Sequence, residues 1–447
     1  MTFHREQFTQ ELSELVRIPS ISQRVEHKED CYAVAEKMQH FLKKLGAETR
    51  IVATKGNPVL LGELASASRE RIVIYNHLDV QPAEEPQWKT SPFEPVVKDG
   101  IMFGRGTTDD KGPALTILHA IREMQSQNIP MPSIQFVYET EEEIGSPNFG
   151  GFLDETLGNG SLKPPHSVLV SDSEFEGEYP TLNYKLRGMA RLFLTLETAS
   201  QEAHSGVVGG VAKNPLEILS RVLVSMKDEM GNITIPHYLD DVAPLTPIEK
   251  EMTQKVAAHM DVEKFKRETG VNELFTENSE EMLTRIWHRP TMEMHGFEGA
   301  QHLPKVMKSS IPNKVTAKIS LRLVPNQTPE KAIERIRAYV QTLHPGIVVE
   351  GDGQPPSVME INNPYMQLGK EACREGYGKD ALFVGAGGSI GAVAKFQRVW
   401  KGTPMVLISQ SLLSDGYHAP NENFRLAQAE KGMATMQRYL EKVGKKS

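Results

Sequence analysis

Five segments of the 447-residue sequence put a histidine or a carboxylate next to an apolar run or a helix start. IVIYNHLDV carries His77, with Asp79 two residues on; GRGTTDDKG carries Asp109 and Asp110; SIQFVYETEEEIGS packs four glutamates into five positions; VLVSDSEF carries Asp172; PMVLISQ is followed by SDGYHAPNE and His418. The carboxyl end of a buried strand is where open α/β sheets place their sites. Any one of these donors alone reads as a solvated loop residue, but five at comparable positions do not. Asp109 has two oxygens with which to bridge two cations, and Asp79 can orient the His77 ring as outer carboxylates do. The acidic turn after Tyr138 is too crowded with negative charge to stand without a cation. One carboxylate there serves as a ligand and a second, uncoordinated one as a proton carrier, roles that Glu142 and Glu143 can divide, while Glu139 and Glu141 read as solvated. Imidazoles with hard carboxylates suit Zn, Mn or Co and exclude a thiolate-type zinc site.

The elements that must position these side chains follow from periodicity. Branched apolar runs at 72–75, 134–138 and 168–170 alternate with a helical stretch in which Ala114, Ile117, Leu118, Ile121 and Met124 share a face. That alternation predicts an α/β part over residues 1–185, a mostly parallel sheet covered by helices. From about Leu186, period two takes over at Leu192, Leu194 and Leu196 and again over 315–323, with Asn214-Pro215 and Thr328-Pro329 opening helices. This β-α-β-α-β rhythm predicts a small α+β, ferredoxin-like sandwich over 186–358. Buried-strand runs then return over 359–447, so the second domain is inserted into the first. Residues 235–300, charged and mixed in pattern, read only as a partly helical insertion.

Lys and Arg number 50 against 58 Asp and Glu, a net charge of -8 without a long basic run, which disfavours a nucleic-acid partner. Cys31 and Cys373 lie far apart with no Cys-x-x-Cys spacing, so neither a disulfide framework nor an oxidising compartment is expected. The first twenty residues read as a charged amphipathic helix rather than a signal, and no apolar run reaches spanning length; a cytoplasmic protein without membrane association is expected.

Other chemistries fit the same sequence less well. GRGTTDDKG lacks the Gly-Lys-Ser/Thr ending of a phosphate loop, and its paired aspartates would repel phosphate. GGSIG at 387–391 fits a serine-hydrolase elbow and precedes Asp415 and His418 in the matching order, but elbow enzymes bring acid and base from separate strand ends rather than three residues apart. The alternative has the amides of Gly387 and Gly388, with Ser389, binding a substrate carboxylate. A non-catalytic peptide sensor is a further alternative.

In order along the chain, NHLDVQP, GRGTTDDKG, ETEEEIGS, SDSEF, AHSGVVGG, WHRPTMEMHGFEGA, SLRLVPNQTPE, GGSIG and GYHAPNE resemble metallopeptidase family twenty. This is the family of cytosolic nonspecific dipeptidase and carnosinase, related to aminoacylase and succinyl-diaminopimelate desuccinylase. The resemblance covers nearly the whole chain. It implies a hydrolase of dipeptides, or of N-acyl or N-carbamoyl amino acids, with two divalent ions per subunit. One ion is held by His77 and Asp172 and the other by Glu143 and His418; Asp109 and a water bridge them, and Glu142 is the general base. It further implies a homodimer whose inserted domain brings His204 to the partner's active site, and a substrate carboxylate gripped by Arg322. Two departures stand out: GAGGSIG puts Gly385 and Ala386 where the dipeptidases carry charge, and Asp110 follows the bridging residue where Asn is usual.

Overall fold

The computed structural model of the chain describes all residues except 1, 302–304, 306 and 447. Among the described residues, nine strands form one sheet. Its order is Glu48–Val52, Val59–Leu64, Ser133–Glu139, Arg71–His77, Ser167–Val170, Met405–Ile408, Thr181–Leu186 and Ser357–Val358, with Leu382–Ala386 also paired to Thr181–Leu186. The four strands from Ser133–Glu139 to Met405–Ile408 run parallel, so their carboxyl ends share one edge. The margin at Glu48–Val52 is antiparallel, as is the pairing of Thr181–Leu186 with Met405–Ile408. The sheet is therefore mixed rather than mostly parallel. The links 53–58 and 65–70 are too short for the crossover that a parallel neighbour requires.

Strands covered on both faces need unbroken apolar runs, and Ile72, Val73, Ile74 and Tyr75 are all fully buried. Every residue from Lys111 to Ile121 in the helix Lys111–Ser126 is buried, because this crossover helix lies beneath the helices Arg5–Val16 and Leu426–Gly444. Each large apolar side chain so buried contributes about 1.5–3 kcal/mol. No helix among the described residues is long and apolar enough to cross a membrane.

The strands Gly188–Glu197, Thr291–Glu298, Lys314–Leu323 and Val348–Gln354 form a separate antiparallel sheet. Burial alternates along its two central strands, and Leu192, Leu194, Val315, Ile319 and Leu321 share a core with Leu219 and Val222 of the helix Pro215–Val224 and Ile333 and Ile336 of the helix Pro329–Leu343. The chain order is β-α-β-β-α-β, one strand more than periodicity predicts. The added strand, Thr291–Glu298, is a largely exposed edge, so it carries no clean alternation to read. It ends the segment 235–300, which also holds the helices Pro247–Ala257, Val262–Thr269 and Ser279–His288. Val256, Leu283 and Trp287 of this segment pack on Val384 of the large sheet. A Cβ on Gly385 would stand 2.8 Å from the Cβ of Trp287, so glycine there lets the helix Ser279–His288 close against the sheet.

Candidate metal centre and active site

The shared carboxyl edge brings the strand-end donors together. His77, Asp109 and Asp172 offer ligand atoms within 4.8 Å of one another, and Asp109, Glu143 and His418 do the same. Asp109 belongs to both groups. Its Oδ1 lies 2.9 Å from His77 Nε2 and its Oδ2 3.1 Å from His418 Nε2, so its two oxygens face different imidazoles. His418 Nε2 also stands 3.1 Å from Glu143, and His77 Nε2 3.9 Å from Asp172.

The electrostatics of this cluster are those of a cation site. Burial, then the charge of Asp109, pushes Asp172 up to about 7 and raises Glu143; burial likewise puts Glu142 well above the usual range, with Asp172 and Glu143 adding to it. Burial also opposes ionisation of Asp109, but the bonds from His418 and His77 hold its carboxyl below the usual range. Burial works against a charged His418 too, yet Asp109 and Glu143 lift it to about 11. Four carboxylates against two imidazoles leave an excess of negative charge in a poorly hydrated cleft, which cations neutralise. The donor set fits two divalent ions sharing Asp109.

Neighbouring residues aim these donors. His77 Nδ1 lies 3.1 Å from the carbonyl oxygen of Asp79 and 3.4 Å from its carboxylate, so the backbone takes the larger part in orienting the ring. The Asp79 carboxylate instead accepts the N–H groups of Glu142 at 3.1 Å and Glu143 at 3.0 Å, holding the short 3-10 turn Glu142–Ile144. Gln81 Nε2 donates to Glu143 at 2.7 Å. Glu142 lines the same cleft as Asp109, Asp172 and His418, and among the described residues no donor engages its carboxylate.

Glu139 and Glu141, expected to be solvated, are buried structural groups. Glu139 accepts from the hydroxyls of Tyr75 and Ser146, and Glu141 accepts from the Asn57 amide at 2.8 Å and the Asn148 side chain at 3.0 Å. Asp110 follows Asp109 across a cis peptide and accepts from the Asn76 side chain at 2.7 Å, tying the Asp109 loop to the His77 strand. Patterning does not single out Glu422, whose one signal is its place four residues past His418. Fully buried, it accepts the N–H groups of Gly106, Thr108 and Asp109 at 3.0, 3.0 and 3.2 Å and pairs with Arg105 at 2.9 Å.

The whole cleft, about 650 Å3, also includes Gly388 and Ser389 in its wall. Ser389 donates to the carbonyl of Arg187 and accepts from Arg322 Nη1 at 3.0 Å, and the Gly388 carbonyl accepts the Arg187 amide at 3.1 Å. Ser389 has no bond to His418, and Asp415 accepts the Leu412 amide at 2.8 Å rather than orienting an imidazole, so the elbow constellation does not form. His204 is exposed and accepts the Gly206 amide at 3.0 Å through Nδ1; it is not part of the cleft lining of its own chain.

The family model for peptidase family M20/M25/M40 matches residues 73–442. The Cys-Gly metallodipeptidase dug1 of Schizosaccharomyces pombe is 31% identical over 461 residues, covering 98% of this chain and 96% of that protein. The Beta-Ala-His dipeptidase of Homo sapiens is 28% identical over 443 residues, covering 94% of this chain and 86% of that protein. Among solved structures, the M20 family metallo-carboxypeptidase Sso-CP2 of Sulfolobus solfataricus superposes with a TM-score of 0.89 at 26% identity, over 99% of this chain and 100% of that one. The matched span holds every donor of the acidic centre from His77 to His418, and the chain belongs to the metallopeptidases of peptidase family M20/M25/M40.

Proposed function

We propose that the chain hydrolyses the amide bond of dipeptides or short peptides at a centre of two divalent cations, with zinc as the first choice and manganese or cobalt as alternatives. The observation that carries this proposal is the pair of donor groups sharing Asp109, with an unengaged Glu142 in the same cleft. His77 and Asp172 would hold one ion, Glu143 and His418 the other, and Asp109 both. When bound, the ions lower the pKa of a water from about 15.7 toward roughly 7 and polarise the scissile carbonyl. Glu142 takes a proton from the attacking water and delivers it to the leaving amine. Asp79, by holding the amides of Glu142 and Glu143, keeps base and ligand at a fixed separation.

Arg322, bonded to Ser389 in the cleft wall, grips the substrate carboxylate together with the Gly388 backbone. Because His204 stands outside its own chain's cleft, a homodimer in which His204 of the partner subunit stabilises the oxyanion completes the site. In this assembly 1–185 and 359–447 form the catalytic domain and 186–358 the dimerisation domain, and the enzyme works in the cytoplasm. The dipeptidase relatives favour dipeptides. N-acyl and N-carbamoyl amino acids are the second substrate class, favoured by the uncharged Gly385 and Ala386 in the cleft wall.

The test is a hydrolysis panel of dipeptides, N-acyl and N-carbamoyl amino acids, run on native, chelator-stripped and Zn- or Mn-reloaded protein. Dipeptide cleavage lost on stripping and regained on reloading supports the proposal. Cleavage that survives stripping, or that only a serine-directed reagent abolishes, overturns it. Turnover of N-acyl substrates alone moves the enzyme to the second class.

A further inference from the structure

We infer that Lys395 is a positioning residue for Glu142, tying the turn that carries the base to the loop that carries Ser389; this deepens the hydrolase proposed above and rests on it. Lys395 lies on the helix Gly391–Val399, directly after the Gly387–Ile390 loop. Its Nζ donates to the Gly145 carbonyl at 3.1 Å and to the Gly391 carbonyl at 3.4 Å. The second contact lies within its own helix, but the first reaches a residue 250 positions away in sequence.

Gly145 ends the 3-10 turn Glu142–Ile144 in a left-handed conformation, φ 85°, and its amide donates to the Glu142 carbonyl at 2.7 Å. Gly145 is therefore held on both sides, by Glu142 through its amide and by Lys395 through its carbonyl. Asp79 grips the opposite end of the same turn through the amides of Glu142 and Glu143. A carboxylate at the amide end and an ammonium at the carbonyl end match the dipole of a helical turn, as anion and cation do at the ends of a longer helix. The clamp also fits the chain it spans. A Cβ on Gly391 would lie 3.1 Å from both the Gly145 carbonyl oxygen and the Ser146 hydroxyl, so the two loops touch and leave little room for a side chain at their crossing.

Without the ammonium, the Gly145 carbonyl loses its partner, and the Glu142 turn keeps its Asp79 and Gln81 anchors at the amide end but none of this kind at the carbonyl end. A carboxylate acting as base tolerates little displacement: about 1 Å of misplacement costs on the order of 100-fold in rate. The consequence is a loss in the proton-transfer step rather than in substrate binding.

Lys395→Met keeps the aliphatic stem and removes the donor, whereas Lys395→Arg keeps charge and donor. With whichever amide substrate the native enzyme cleaves, Lys395→Met is expected to lower kcat about 10- to 100-fold with KM changed less than about threefold, and Lys395→Arg to recover most of the loss. Metal content stays at the native value in both variants. Independently of any substrate, hydrogen exchange of the segment 139–148 is faster in Lys395→Met while that of 71–79 is unchanged. Native kcat in Lys395→Met, a loss that follows lost metal, or unchanged exchange at 139–148 overturns the inference. Should Lys395→Met not fold, Lys395→Ala, which also lacks the donor, is read on the same two measurements with the same expected directions. A native enzyme that cleaves no amide sinks the hydrolase instead, and the exchange comparison still decides whether Lys395 holds the turn.

Discussion

The two sides of the cleft are built differently. On one side, His77, the Glu142–Glu143 pair, Asp172 and His418 follow parallel strands whose ladders fix where each loop begins, and Asp79, Gln81, Asp110 and Glu422 hold the Glu142–Glu143 turn, the His77 strand end and the Asp109 loop through bonds of 2.7–3.3 Å. On the other side, Ser389 comes from a glycine-rich loop, Arg187 from the junction between the strands Thr181–Leu186 and Gly188–Glu197, and Arg322 from the strand Lys314–Leu323, and the helix Ser279–His288 packs against Val384, Gly385 and Gly387 of the adjoining strand and loop. The acidic side is over-determined by backbone and buried carboxylates, whereas the recognition side depends on a few side chains near the insertion. In the proposed hydrolase, bond-breaking chemistry is thereby placed on rigid elements and substrate choice on replaceable ones.

That contrast predicts unequal responses to mutation. The largest is at the base: Glu142→Ala should lower kcat by about 100- to 10,000-fold while keeping full metal content, as checked by steady-state kinetics and elemental analysis. Behind the acidic side, Glu11 bonds His119 and Arg122 on the crossover helix. Burial alone would raise its carboxyl, but the bonds and charges of His119 and Arg122 hold it at about 2 against an ordinary 4.5, while burial keeps His119 itself below its usual range. A carboxyl depressed on folding contributes stability above its unfolded pKa and loses it as the pH falls from about 4.5 to 2. The contribution is at most about 3 kcal/mol, and Glu11→Gln should flatten that part of the stability curve measured by urea unfolding.

On the recognition side, Arg322→Met should raise KM by about 10- to 100-fold for substrates with a free carboxylate and leave kcat nearly unchanged. The same ratio for a carboxyl-amidated substrate would show that Arg322 does not read the carboxylate. The smallest effect is expected at Glu422. Glu422→Gln keeps the shape but weakens the grip on the Asp109 loop, and metal affinity should fall by about 10-fold in a calorimetric titration with little change in KM.

The same contrast marks what could be read from the sequence. Donors near strand ends were legible, because a buried parallel strand shows as an unbroken apolar run and the polar residues that follow it lie at the carboxyl edge; the structure gathers His77, Glu143, Asp172 and His418 there, with Asp109 from the loop that enters the helix Lys111–Ser126. Side chains whose surroundings come from distant segments were not. Glu139 and Glu141 looked solvated because Tyr75, Asn57 and Asn148, which cover them, lie outside the acidic run. Glu422 was invisible for the same reason, its partners being more than 300 positions upstream. The edge strand Thr291–Glu298 escaped because one exposed strand carries too few buried residues to set a period.

Shared use of Asp109 is the centre of the account, and metal stoichiometry tests it most directly. Native protein should bind two divalent ions per chain, Asp172→Asn should retain the one held by Glu143 and His418, and Asp109→Ala should retain fewer than either. Two ions still bound by Asp109→Ala at the native affinity would contradict the bridge.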